Sequence, residues 1–141
     1  MAYLTSQTTR QRIKVAVFNR IAQGETVTRC GREIYRMGEM KVHARYCAPG
    51  SEHYKFNLNP NTLRADFELW ICGSAEHWYL IPIDVIRQMY DHPAAYPDNL
   101  HADIRVVTVD AQSHRVVYAA PSILLDLVPY FQATIQSTTA P

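Results

Sequence analysis

Eight consecutive residues, Glu39-Met40-Lys41-Val42-His43-Ala44-Arg45-Tyr46, concentrate the chemistry-bearing side chains of this chain. In an extended strand successive side chains point to opposite faces. Glu39, Lys41, His43 and Arg45 therefore share one face, and Met40, Val42, Ala44 and Tyr46 share the other. The second set suits a core. The first is a row of four ionisable groups, with a carboxylate two positions before an ammonium. Such a row can hold a metal ion and polarise a phosphate, and His43 between two cations can contact phosphate or act as a general base. A plainly solvated strand face reads the same way.

Charge is unevenly distributed around that strand. Residues 1–64 hold eleven Lys or Arg against four Glu, a net of +7, and residues 65–141 hold three Arg against nine Asp or Glu, a net of −6. A basic half of this kind suits a polyanion, because phosphate contacts dominate such affinity. Arg10, Lys14, Arg32, Arg36, Lys41 and Arg45 are its leading contributors, and Tyr46 and Tyr54, flanking the Pro49-Gly50 turn, are candidates for stacking on bases. Trp70, Trp78 and Tyr79 stand in apolar runs and read as core.

Several classes of function find no support. Cys30, Cys47 and Cys72 are an odd number with no CxxC pair, so neither a disulfide framework nor a cysteine-based zinc site is expected. The histidines show no HxH or HxxxH spacing, and there is no Gly-rich phosphate loop and no GxSxG. No apolar run approaches the roughly 20 residues that span a bilayer. Met1 to Ser6 carries no apolar signal core, and a cytoplasmic location is the expectation.

The elements that position these residues follow from periodicity and punctuation. Residues 8–23 read as an amphipathic helix through Ile13, Ala16, Val17 and Ile21, stopped by Gly24. Strands are expected over 26–30, 33–37, 39–47, 54–58 and 67–72, separated by Gly31, Gly38, Pro49-Gly50 and Asn59-Pro60-Asn61. Trp78 to Pro82 continues the sheet, and Ile83, Ile86 and Tyr90 mark a short helix. Two more strands are expected over 104–109 and 114–118. From Pro121-Ser122 the apolar positions Leu124, Leu127, Val128, Phe131 and Ile135 predict a closing helix kinked at Pro129, with a frayed tail over 138–141. The order predicts one mixed α/β (α+β) domain with a central mixed sheet flanked by helices.

A pattern over residues 8–90 resembles a known family. Lys41-Val42-His43-Ala44-Arg45-Tyr46, then Tyr54-Lys55-Phe56-Asn57-Leu58, then Ala65-Asp66-Phe67-Glu68-Leu69-Trp70-Ile71, then Trp78-Tyr79-Leu80-Ile81-Pro82 opening a helix, resemble the strand succession of small PD-(D/E)XK nuclease-like domains. The resemblance implies a restriction-endonuclease-like fold, with 102–136 as a C-terminal hairpin and helix extending the sheet. It also implies a nucleic-acid substrate, DNA in most of the family, and a Mg²⁺ ion. Aligned on Phe56-Asn57, the family lysine falls on His43 and its carboxylate on Lys41, and the motif is lost. One pleat earlier, Glu39-Met40-Lys41 restores it, with Glu33 as the upstream acid. That register implies Glu33 and Glu39 as metal ligands and Lys41 as the residue that orients water or stabilises charge.

Two function classes therefore stand side by side. One is a nuclease-like protein, either a Mg²⁺-dependent DNA endonuclease or a catalytically eroded DNA-binding relative. The other is a non-enzymatic interaction or assembly module whose basic half meets a protein partner. A homodimer stays open in both, and no membrane contact is expected.

Overall fold

The structure, a computed structural model, describes residues 2–50 and 53–135. Helix α1, Ala2–Ala22, opens the chain. It buries Lys14, Val17, Phe18, Ile21 and Ala22, the three-and-four spacing of one helical stripe. Gln23 and Gly24 then turn left-handed, with φ of 49° and 95°, which ends the helix where the sequence places its stop.

Three antiparallel strands follow as a meander: β1 (Val27–Gly31), β2 (Ile34–Met37) and β3 (Met40–Cys47). The chain then leaves this sheet for β4, His53–Leu58. Asn59 caps the 3-10 turn Pro60–Thr62 by accepting from the Asn61 amide, and β5 (Phe67–Cys72) returns parallel to β3. β6 (Trp78–Pro82) pairs antiparallel with β5 and runs into α2, Ile83–Tyr90. At the β5–β6 turn, Gly73 has φ of +84°, and a Cβ there would lie 3.0 Å from the Tyr54 hydroxyl. Glycine answers both the handedness and the close approach.

Two sheets result. The larger has the order β1-β2-β3-β5-β6, mixed because β3 and β5 are parallel, with β3 in the middle. The smaller has the order β4-β7-β8-β9, adding β7 (Arg105–Asp110), β8 (Arg115–Ala119) and β9 (Ile123–Asp126). Alternation along β5 divides the core. Phe67, Leu69 and Ile71 join α1, Val42 and Ala44 in one cluster. Trp70 and Cys72 join the smaller sheet and α2 in the other. There Trp70 stacks on Phe56 with ring centroids 5.0 Å apart and planes 7° from parallel, worth about 1 kcal/mol beyond the area buried. Among the described residues this is a mixed α+β fold with α1, α2 and two sheets in one small domain, and none of its helices is long and apolar enough to cross a membrane.

Two expectations are corrected. The strands within 102–119 do not extend the central sheet; they pair with β4 to build the second one. Over residues 121–134 the closing segment is not the kinked helix expected there. Residues 123–126 pair antiparallel with β8, and Pro129 sits in a 3-10 turn, Val128–Tyr130. The spacing of Leu124, Leu127 and Val128 suits a helix, yet Leu124 and Val128 are exposed while Leu127 is buried. Filling the open edge of β8 outweighed the local pattern. The expected tail at 138–141 lies outside the described residues.

Candidate functional site

Pairing between β2 and β3 stops at His43 opposite Ile34, with one further bond from the Ala44 amide to the Glu33 carbonyl at 2.9 Å. Beyond it, among the described residues, the end of β3 has a partner strand only on the β5 side. A cleft of about 810 Å³ opens at this edge. One wall is α1 with the β1–β2 turn, the floor is β3, and the other wall is β4, the edge strand of the smaller sheet. Arg10, Lys14, Arg29, Arg32, Arg45 and Lys55 line it, against the single carboxylate of Glu33 among the described residues. Tyr46 lies in the same cleft with the Arg10 guanidinium 5.6 Å from its ring centroid, a cation–π distance.

Parity along β3 follows the sequence. Val42 and Ala44 are fully buried under α1, and Met40 and Tyr46 pack against the same cluster. His43 and Arg45 take the opposite face, but that face is turned toward the smaller sheet rather than bathed in water. His43 is 5% exposed, and burial, reinforced by the Arg45 charge, pushes its imidazole down to about 4. It is a neutral ring at pH 7.

Opposite His43 on β5 stands Glu68, with no exposed surface. Its Oε1 accepts from the Trp70 indole at 2.8 Å and lies 3.8 Å from Arg45 Nε. Burial pushes the carboxyl up to about 7, a rise that the indole and Arg45 only partly offset. Three buried polar atoms meet here without a hydrogen-bond partner among the described residues: His43 Nδ1, Arg45 Nε and Glu68 Oε2.

The acids proposed for a metal do not converge. Glu33 occupies the β1–β2 turn in the left-handed region, φ 59°, and its carboxylate is taken by Lys14 on one oxygen and approached by Arg29 at 3.8 Å on the other. Glu39 lies in the turn at the other end of β2. Five residues, the four of β2 and Gly38, separate the two, and β2 alone spans roughly 10 Å. Two ligands of one Mg²⁺, each about 2.1 Å from the ion, must bring their oxygens within about 4 Å. The donor set does not fit that ion, and among the described residues no group of three His, Cys, Asp or Glu is placed to hold a metal.

Lys41 is exposed at the start of β3, and its amide donates to the Asp66 carboxylate at 2.8 Å, so Asp66 ties β5 to β3. Arg36 stands directly opposite Lys41 on β2, also exposed and not among the residues lining the cleft. Tyr54 is buried between the sheets, because the alternation of β4 turns Tyr54, Phe56 and Leu58 inward together. Of the residues singled out in the sequence, Arg10, Lys14, Arg32, Glu33, His43, Arg45 and Tyr46 come together in the cleft. Glu39, Lys41, Arg36 and Tyr54 do not. Arg29, Lys55, Asn57 and Gln11 also line it, and the alternation of β4, which puts Lys55 and Asn57 outward, carried a signal for two of them.

Comparison with known proteins adds no identity: no family model matches the chain, and neither the curated proteins nor the solved structures contain a match.

Proposed function

We propose that the chain is a nucleic-acid-binding protein that grips the phosphate backbone in the cleft between α1, β3 and β4, with DNA the first candidate from the nuclease-like pattern of its strands. The single observation behind this reading is the clustering of Arg10, Arg29, Arg32, Arg45 and Lys55 around one cleft in which the carboxylate among the described lining residues, Glu33, is already paired. Concave basic grooves concentrate polyanions and steer their approach. The reading is a binding one, the eroded form of the nuclease pattern, because the paired Glu33 and the distant Glu39 leave the cleft without an acidic cage.

Fluorescence anisotropy with labelled oligonucleotides across a salt series tests it. Four or five phosphate contacts give a log–log salt slope of about −3 to −4. No binding at low salt, with capture of an acidic peptide instead, would move the cleft to the protein-partner class. Incubation with Mg²⁺ or Mn²⁺ is expected to leave the oligonucleotides intact. Cleavage that disappears in Glu39→Gln would overturn the non-catalytic reading.

A further inference from the structure

Resting on that reading, we infer that Glu68 is a positioning residue behind the cleft, and that the proton it gains or loses sets how strongly Arg45 attracts a phosphate there. Glu68 itself is out of a ligand's reach. It has no exposed surface and stands on β5, with His43 of β3 as its register partner. Arg45 connects it to the cleft. The Arg45 Nε is buried 3.8 Å from Glu68 Oε1, while the side chain as a whole is 28% exposed and lines the cleft. One guanidinium therefore answers to two anions, a fixed carboxylate behind it and a phosphate in front.

The surroundings leave that carboxylate close to its titration point. On β3 it faces His43 and Arg45, on its own strand the Trp70 indole donates to it, and its partner on β6 is Ile81. The smaller sheet and α2 bring Tyr54, Phe56, Leu58, Ile86 and Met89 to the cluster that holds Trp70. Of these groups Arg45 alone is charged at neutral pH. Lys14 and Glu33 act on His43 from α1 and the β1–β2 turn, and they pair with each other. Burial raises the Glu68 carboxyl to about 7, against the pull of the indole and Arg45. Above that value the carboxylate offsets Arg45 from behind. Below it the neutral acid leaves the full guanidinium charge to the cleft. Phosphodiesters keep their charge throughout this range. A carboxylate roughly 8 Å behind a phosphate, at an effective dielectric of roughly 40, changes affinity about fivefold. The coupling is reciprocal, so a bound polyanion favours the neutral acid.

The test is anisotropy of labelled dT12 and of a duplex of equal length, at constant salt from pH 6 to 8, with wild type and Glu68→Gln. The amide keeps the shape of the side chain and removes its charge. Glu68→Gln is expected to bind about fivefold tighter than wild type at pH 8 and equally at pH 6. Histidines elsewhere titrate in both proteins and cancel in the ratio. A ratio that stays the same at both pH values, as a purely structural role gives, overturns the inference while leaving backbone binding intact. Binding of neither oligonucleotide at either pH overturns the nucleic-acid reading and this inference with it. Circular dichroism checks the fold of the variant. Should Glu68→Gln not fold, carboxyl-carbon NMR of the wild type decides. A Glu68 midpoint near neutrality that rises on adding whichever oligonucleotide binds is the expected result, and a midpoint the oligonucleotide leaves unmoved overturns the inference.

Discussion

Burial sets the behaviour of individual charges in this protein more than their sequence neighbours do. His43 and Glu68 face each other across β3 and β5, and burial shifts them in opposite senses, His43 down to about 4 and Glu68 up to about 7. The unfolded chain therefore holds the extra proton at His43 between about pH 4 and 6.5, so that group makes stability rise with pH across the window. The folded chain holds the extra proton at Glu68 between about pH 4.5 and 7, so that group makes stability fall with rising pH. Each effect amounts to at most about 3 kcal/mol, and the two nearly cancel. Urea unfolding of the wild type is expected to vary little from pH 4.5 to 6.5. His43→Gln should then lose stability as pH rises through that range, and Glu68→Gln should gain it; parallel slopes in the two variants would refute the opposed shifts. Lys14 is a related case, buried in the helix stripe with Glu33 as its partner. Lys14→Met should be tolerated within about 1 kcal/mol, because an apolar side chain suits that stripe, whereas Glu33→Gln should cost about 2 kcal/mol by leaving the ammonium unpaired. The reverse order in chemical denaturation would contradict the structural role given to this pair. Both Lys14 and Glu33 were visible in the sequence as charges; that they neutralise each other was not, since nineteen positions separate them.

Among the elements, those with local signals were legible and those made by distant pairing were not. Gly24, Gly38 and the alternation of Met40, Val42 and Ala44 mark α1 and the β1–β3 meander in the sequence itself. β4 alternates just as clearly, with Tyr54, Phe56 and Leu58 inward, but alternation does not say which sheet a strand joins. Its partner β7 lies some fifty residues on, with His53 opposite Asp110 and Leu58 opposite Arg105. The closing segment shows the opposite failure, a helical spacing overruled by the edge of β8. This difference is measurable. Leu127 is fully buried and Leu124 is 47% exposed. Leu127→Ala is expected to cost about 3 kcal/mol, and Leu124→Lys less than about 0.5 kcal/mol, as a charge on an edge strand. Comparable large losses at both positions would fit a helix burying one apolar face and would contradict β9.

For the whole molecule, the charge asymmetry of the sequence becomes a location. The basic N-terminal half builds α1, the meander and β4, and its cations divide into those lining the cleft and those outside it. Sequence alone placed Arg36 and Arg45 together as phosphate contacts. The fold separates them: Arg45 is on the cleft floor, and Arg36 is exposed on β2 opposite Lys41, away from the lining residues. Phosphate contacts contribute to any nucleic-acid sequence alike, so the division shows as affinity rather than base preference. The most direct measurement is oligonucleotide affinity at low salt for Arg45→Glu beside Arg36→Glu, two reversals of equal charge. Binding in the cleft predicts a loss of about tenfold or more for Arg45→Glu, with a salt slope shallower by about one, and a loss of no more than about threefold for Arg36→Glu. Equal losses in the two variants would contradict the cleft and leave only a diffuse attraction to the basic half.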